Sequence, residues 1–179
     1  MTHTLSRAID GLYLACIWIA GLSILGMSII IPIGVFARYV LGFGAQWPEP
    51  IAILLMVVFT FIGSAAAYRA GSHIAVSMLT DRLSPTMRKV FAIGVDLLMI
   101  AVSLFMIVYG FKLSMETMSQ SLAAIPSIPV GLTYSPLPIG GVCTLIFVLE
   151  KLFLGPQYGR AVVRFDHDVD AAPTTTEAA

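Results

Sequence analysis

The sequence predicts an all-α integral membrane protein with four transmembrane helices and a short interfacial helix between the second and third. Charged residues make up 11% of the 179-residue chain and hydrophobic residues 58%, with a mean hydropathy of +0.93, whereas a soluble domain carries about 25% charged residues. The few charges are bunched: residues 11–37, 50–68 and 117–149 contain none, and 90–111 contain only Asp96. Each run supplies the ~20 helical residues that cross a bilayer core, where every peptide group must bond within its own segment.

The first run exceeds the 7–15 residues of a signal-peptide core, and no small-x-small site closes it, so a retained, membrane-targeting helix is expected. Pro32 should bend this helix or release it from the bilayer. Arg38 and Glu49 bracket the first loop, with Trp47 and Pro48 beside the glutamate. Trp47 suits the aromatic belt, and an Arg38–Glu49 pair would close the helix hairpin. In the second run, Gly63, Ala67 and Gly71 recur every four residues, a smooth ridge for close helix approach. Arg69 and His73 share one face at the end of that helix, placed to snorkel to lipid phosphate.

Between the second and third helices, Ile74, Met78, Leu79 and Leu83 fall at roughly helical spacing among polar residues, which suggests a helix lying along the interface over residues 73–83. Ser84-Pro85 is a helix start, serine as N-cap and proline in the first turn. Asp96 has two readings. It is a proton or sodium site, or a carboxylate paired with a basic group on a neighbouring helix or a partner subunit. The second is favoured, because one carboxylate without polar companions makes a poor cation cage. Pro126, Pro129, Pro136 and Pro138 crowd the last loop, so the fourth helix starts after Pro129 or uses Pro136 in its first turn. Residues 1–154 form the transmembrane domain; 155–179, with alternating aspartates and a Pro-Thr-rich end, are expected to be a disordered cytoplasmic tail.

Basic residues set the orientation. With a cytoplasmic N-terminus, Arg7, Arg69, Arg82, Arg88, Lys89, Lys151, Arg160 and Arg164 lie inside, and only Arg38 and Lys112 outside. This positive-inside bias places both termini and the middle loop in the cytoplasm.

Zero net charge gives no reason to expect a nucleic-acid partner. Cys16 and Cys143 both fall in apolar runs and read as small apolar residues, not a disulfide framework. No phosphate-binding glycine loop, metal-spaced His/Cys cluster or nucleophile–base pairing is present, so neither an enzyme, a cofactor nor a metal is expected. Nor is there the paired, interrupted helix repeat from which secondary transporters build their sites. The chain reads as a scaffold.

Several spaced features resemble the small membrane subunit (DctQ-like) of tripartite ATP-independent periplasmic (TRAP) transporters, across residues 9–154. They are Arg38-Tyr39; Trp47-Pro48-Glu49; the stretch from Phe61 through Gly63 to Tyr68-Arg69; Ser72-His73-Ile74 with Val76 and Leu79; Arg88; and Gln120-Ser121-Leu122 with Pro126, Tyr134, Leu137-Pro138 and Gly140. The chain departs from the family pattern at Ser77, where an acidic residue is common, and at Pro50. The resemblance implies the small subunit of a sodium-coupled symporter for organic acids, such as C4-dicarboxylates, in a bacterial inner membrane. Its partners would be a large permease subunit, a periplasmic solute-binding protein and membrane lipids. Arg38, Trp47 and Glu49 would then serve loop closure, assembly or docking, while Arg69, His73 and Arg88 anchor the inner interface. Two alternatives are a self-contained ion-coupled carrier using Asp96 or Glu49, and the small subunit of a tricarboxylate transporter.

The orientation is testable. A cysteine introduced at Arg82 should react with impermeant maleimide only from the cytoplasmic side; labelling from outside overturns it.

Overall fold

Residues 2–42, 44, 46–71 and 85–155 are described by the structure, a computed structural model. The elements are α1 (Thr2–Tyr39), α2 (Pro48–Arg69), α3 (Pro85–Glu116), β1 (Ser121–Leu122), β2 (Ile125–Pro129), α4 (Val130–Tyr134) and α5 (Pro136–Leu154). Four segments are long and apolar enough to cross a membrane: Ser6–Tyr39, Pro48–Arg69, Val90–Glu116, and Val130–Leu154, which joins α4 to α5. The expected interfacial helix over residues 73–83, the Ser84 cap and the tail beyond residue 155 lie outside the described residues.

Local chemistry accounts for most boundaries. Proline in the first turn opens both α2 and α5, where its missing N–H costs nothing. Glu49 stands in the first turn of α2 and Arg38 in the last turn of α1, each complementing the helix dipole. Gly71 follows α2 at φ +69°, and Gly155 follows α5 at φ +82°; both positions need the left-handed conformation that glycine adopts without a Cβ penalty. Pro32 neither ends α1 nor releases the chain, since the helix runs on to Tyr39. In a segment this apolar, leaving the helix would strand more peptide groups than the one hydrogen bond that proline deletes. The last loop uses both prolines considered for the fourth helix: Pro129 precedes α4 in an extended conformation, and Pro136 opens α5.

Among the described residues, the same loop holds the only strand pairing, an antiparallel hairpin joining Ser121 with Pro129 and Leu122 with Ile125. Val130 N–H donates to the Gln120 carbonyl at 2.8 Å, and the Ser114 hydroxyl donates to the Gly131 carbonyl at 2.7 Å. The hairpin is thereby tied to the ends of α3 and α4. Such pairing satisfies backbone that proline excludes from a helix.

α1 packs on α2, α2 on α5, and α5 on α3. The last helix therefore inserts between the second and third, leaving α1 and α3 at the two ends of the series. Tyr13, Cys16, Ile62, Ala65, Ala66, Cys143, Phe147 and Val148 belong to the buried core. Both thiols are free and buried there, consistent with small apolar packing residues. Intramembrane hydroxyls bond back to their own helices: Ser23 to the Ile19 carbonyl, Thr60 to Met56, Ser103 to Met99, and Thr144 to Gly140. Turned onto their own backbone, these groups line no polar path.

Along the small-residue ridge of α2, contact with the other described helices is ordinary. Gly63 meets Ala20 of α1 at ordinary contact distance, with 3.5 Å between the Ala20 Cβ and a Cβ built on Gly63. Ala67 is exposed, and Gly71 serves the turn. A four-residue repeat drifts around a 3.6-residue helix, so the ridge does not stay on one neighbour. Instead, Gly140 of α5 faces the backbone of α2, where a Cβ would lie 2.7 Å from the Phe61 carbonyl oxygen and 2.8 Å from the Phe61 Cβ. Gly140→Ala is expected to push α2 from α5 and cost about 1–3 kcal/mol, read as a lower unfolding temperature in detergent. Gly21→Ala, with nothing within 4 Å, should leave it unchanged or slightly raised.

Candidate functional site

The site is a set of ionisable side chains at the end of the bundle where α2 and α5 finish. Arg69, the last residue of α2, is fully buried there, its side chain 2% exposed. Its guanidinium grips Glu150 of α5 through two hydrogen bonds, Nε to Oε2 and Nη2 to Oε1, each 2.7 Å. Nη2 also donates to Asp10 Oδ1 of α1 at 2.6 Å. The Glu150 side chain is 1% exposed and that of Asp10 15%. Nη1 makes no hydrogen bond, but the guanidinium carbon lies 5.0 Å from the Tyr13 ring centroid and 5.4 Å from that of Phe147. Those rings meet edge to face at 6.3 Å. Aromatic faces attract a cation and replace part of the water it lost.

A second cluster adjoins the first through the chain itself. Tyr68, next to Arg69, donates its hydroxyl to Asp96 Oδ1 of α3 at 3.0 Å. Lys151, next to Glu150, donates to the same oxygen at 2.6 Å, and its ammonium lies 5.6 Å from the Tyr68 ring centroid. Asp96 is thus paired with a basic group on a neighbouring helix, and Lys151 supplies it. Together the clusters join α1, α2, α3 and α5 near one level, combining three carboxylates with two cations.

Arg69 corrects the sequence expectation. It does not snorkel to lipid phosphate but turns inward, because two carboxylates and two ring faces outbid the headgroup region for its charge. The expectations for His73 and for the Arg88 side chain fall outside the described residues; the Arg88 backbone lies in the first turn of α3. At the opposite end, Arg38 Nη2 and Glu49 Oε2 stand 3.8 Å apart with side chains 51% and 73% exposed, a loose pair of little energetic weight. Trp47 is also exposed.

Asp10 and Glu150 were missed in the sequence because each ends an apolar run and reads as a loop charge. A signal existed: Asp10 and Tyr13, and Phe147 and Glu150, are each three residues apart, placing carboxylate and ring on one helical face. Among the described residues, no three His, Cys, Asp or Glu side chains converge as metal ligands.

Residues 27–155 match the family described as tripartite ATP-independent periplasmic transporters, DctQ component. The chain belongs to this family. A protein of Haemophilus influenzae named as a TRAP transporter small permease protein is 25% identical over 152 residues, 85% of this chain and 89% of that one. The sialic acid TRAP transporter small permease protein SiaQ of Vibrio cholerae is 26% identical over 116 residues, 65% of this chain and 66% of its own. This TRAP small permease subunit is a multi-pass membrane protein and part of a transporter. The matched span contains Arg69, Asp96, Glu150 and Lys151 but begins after Asp10 and Tyr13.

Removing one partner of a buried ion pair strands the other and costs about 3–5 kcal/mol. Arg69→Met should therefore lower the unfolding temperature sharply and reduce the folded yield after detergent extraction. Adding Glu150→Gln to Arg69→Met should recover part of that loss. Asp96→Asn, which keeps an acceptor for Tyr68, should cost less, about 2 kcal/mol.

Proposed function

We propose that this subunit is the stationary scaffold of a TRAP-type secondary transporter for organic acids, seated beside a large permease subunit that carries the substrate and ion sites. One observation supports this above the rest: among the described residues, Arg69, Asp96, Glu150 and Lys151 are paired helix to helix, and Ser23, Thr60, Ser103 and Thr144 bond to their own backbones. A solute path needs polar groups left available to exchange partners. A part that must hold still while another moves needs its own helices locked together, as the Arg69 and Asp96 clusters lock them. Meanwhile α1 and α3 present long apolar faces, among them Leu22, Leu25 and Ile29, and Leu97, Phe105 and Val108. Such faces suit lipid on one side and another membrane subunit on the other.

In this reading, both termini and the Arg69 cluster lie on the cytoplasmic side of a bacterial inner membrane, following the basic-residue bias. Gly63 and Ala67 contribute to subunit packing. The Arg38 end, with Trp47, Glu49 and the β1–β2 hairpin, faces the periplasm and helps receive the loaded solute-binding protein. The substrate is a carboxylic acid. The relative named for sialic acid broadens the class beyond C4-dicarboxylates, since sialic acid also carries a carboxylate. Transport is sodium-coupled symport.

The test is uptake into proteoliposomes. With a large permease subunit and a binding protein, this chain should support sodium-dependent uptake of a carboxylic acid, and omission of any component should abolish it. Uptake by this chain alone would falsify the proposal. Arg38→Gln and Glu49→Gln should weaken coupling to the binding protein, seen as a severalfold higher half-saturating concentration of that protein.

A further inference from the structure

Between α1 and α2, near the Arg38 end, runs a groove of about 430 Å³. Its walls include Ile31, Val35, Ile53 and Met56, with Arg38 and Glu49 at its mouth. Contact closes it at the back: a Cβ on Gly34 would lie 2.7 Å from the Pro48 Cβ, and Ala52 is buried. Ile31, Val35, Ile53 and Met56 are each about half exposed, so the groove opens sideways along the bundle.

Its dimensions select the occupant. From Met27, which also lines it, to Arg38 the helix rises about 16 Å, close to the ~15 Å of hydrocarbon in a single leaflet. Lined by aliphatic side chains over that length, the space suits one extended acyl chain. Charge then selects the headgroup. The 3.8 Å separation and high exposure of Arg38 and Glu49 leave a guanidinium and a carboxylate side by side at the level where an acyl chain meets its headgroup. A guanidinium binds phosphate in bidentate fashion, and a carboxylate accepts from a primary ammonium.

We propose that this groove binds a zwitterionic aminophospholipid: one acyl chain along α1 and α2, the phosphate on Arg38 and the amine on Glu49. The site is part of this chain alone and holds whether or not the scaffold reading does. A bound lipid would extend the seam between α1 and α2 outward from the Gly34–Pro48 contact and the exposed Arg38–Glu49 pair.

The experiment is native mass spectrometry of the full chain released from mild detergent after titration with phosphatidylethanolamine or phosphatidylglycerol. One phosphatidylethanolamine per chain should be retained, in preference to phosphatidylglycerol. Ile53→Trp, which fills the groove, and Arg38→Gln should each reduce its occupancy at least fivefold. Arg38→Lys should retain most of it, and Glu49→Gln should erase the preference over phosphatidylglycerol. If Ile53→Trp lowers helical content by circular dichroism, the Arg38→Gln and Arg38→Lys pair decides alone. Equal retention of both lipids by the unaltered chain, or occupancy indifferent to Arg38→Gln, overturns the proposal. So does a two-chain species abolished by Ile53→Trp, which would give the groove to a second copy.

Discussion

A guanidinium removed from water at a bilayer boundary must be answered on several sides at once, and Arg69 is answered from two other helices, α1 and α5. Glu150 takes it in a planar two-point grip, Asp10 closes one edge, and Tyr13 and Phe147 lie within cation–π distance. Because the fork is rigid, its geometry sets rotation and depth as well as proximity. Sliding α5 against α2 by one residue would carry Glu150 out of reach by 1.5 Å and about 100°. The order α1–α2–α5 and the level of each helix therefore follow from one cation and two carboxylates. Lys151 and Asp96 extend the same constraint to α3.

The two ends of the bundle are built on opposite terms. At the Arg69 end, ionised groups are buried and their partners specified, so rearrangement there would expose charge to hydrocarbon. At the Arg38 end, the ion pair is exposed, the chain turns through a short hairpin and two prolines, and α1 meets α2 at a glycine. Contacts of that kind hold a shape without prescribing every partner. A rigid base with an adaptable rim fits a subunit of a multi-part transporter, whose membership in the DctQ family is set by the match over residues 27–155.

Legibility differed by kind of residue. The long apolar runs, the proline start of α3 and the choice of a paired carboxylate for Asp96 could all be read one segment at a time, whereas the start of the last helix was left between Pro129 and Pro136. Arg69 could not. A basic residue at a helix end looks identical whether it reaches for lipid or folds inward, and only the arrival of Asp10 and Glu150 from 59 and 81 residues away distinguishes the two. The ridge of Gly63, Ala67 and Gly71 was legible only as a surface. Spacing identifies a smooth face, not which neighbour uses it; within this chain Gly63 makes ordinary contact with Ala20, and a tighter contact comes from Gly140 on α5.

By itself, the amino-acid order determined that this chain is helical and that four of its segments are long and apolar enough to cross a bilayer. Bilayer physics acts locally: each segment must satisfy its own peptide groups and match one hydrocarbon thickness. Tertiary structure alone decided which helices are neighbours, that α5 inserts between α2 and α3, and which charges neutralise one another. Those outcomes depend on distances between side chains far apart in sequence, and no local periodicity encodes them.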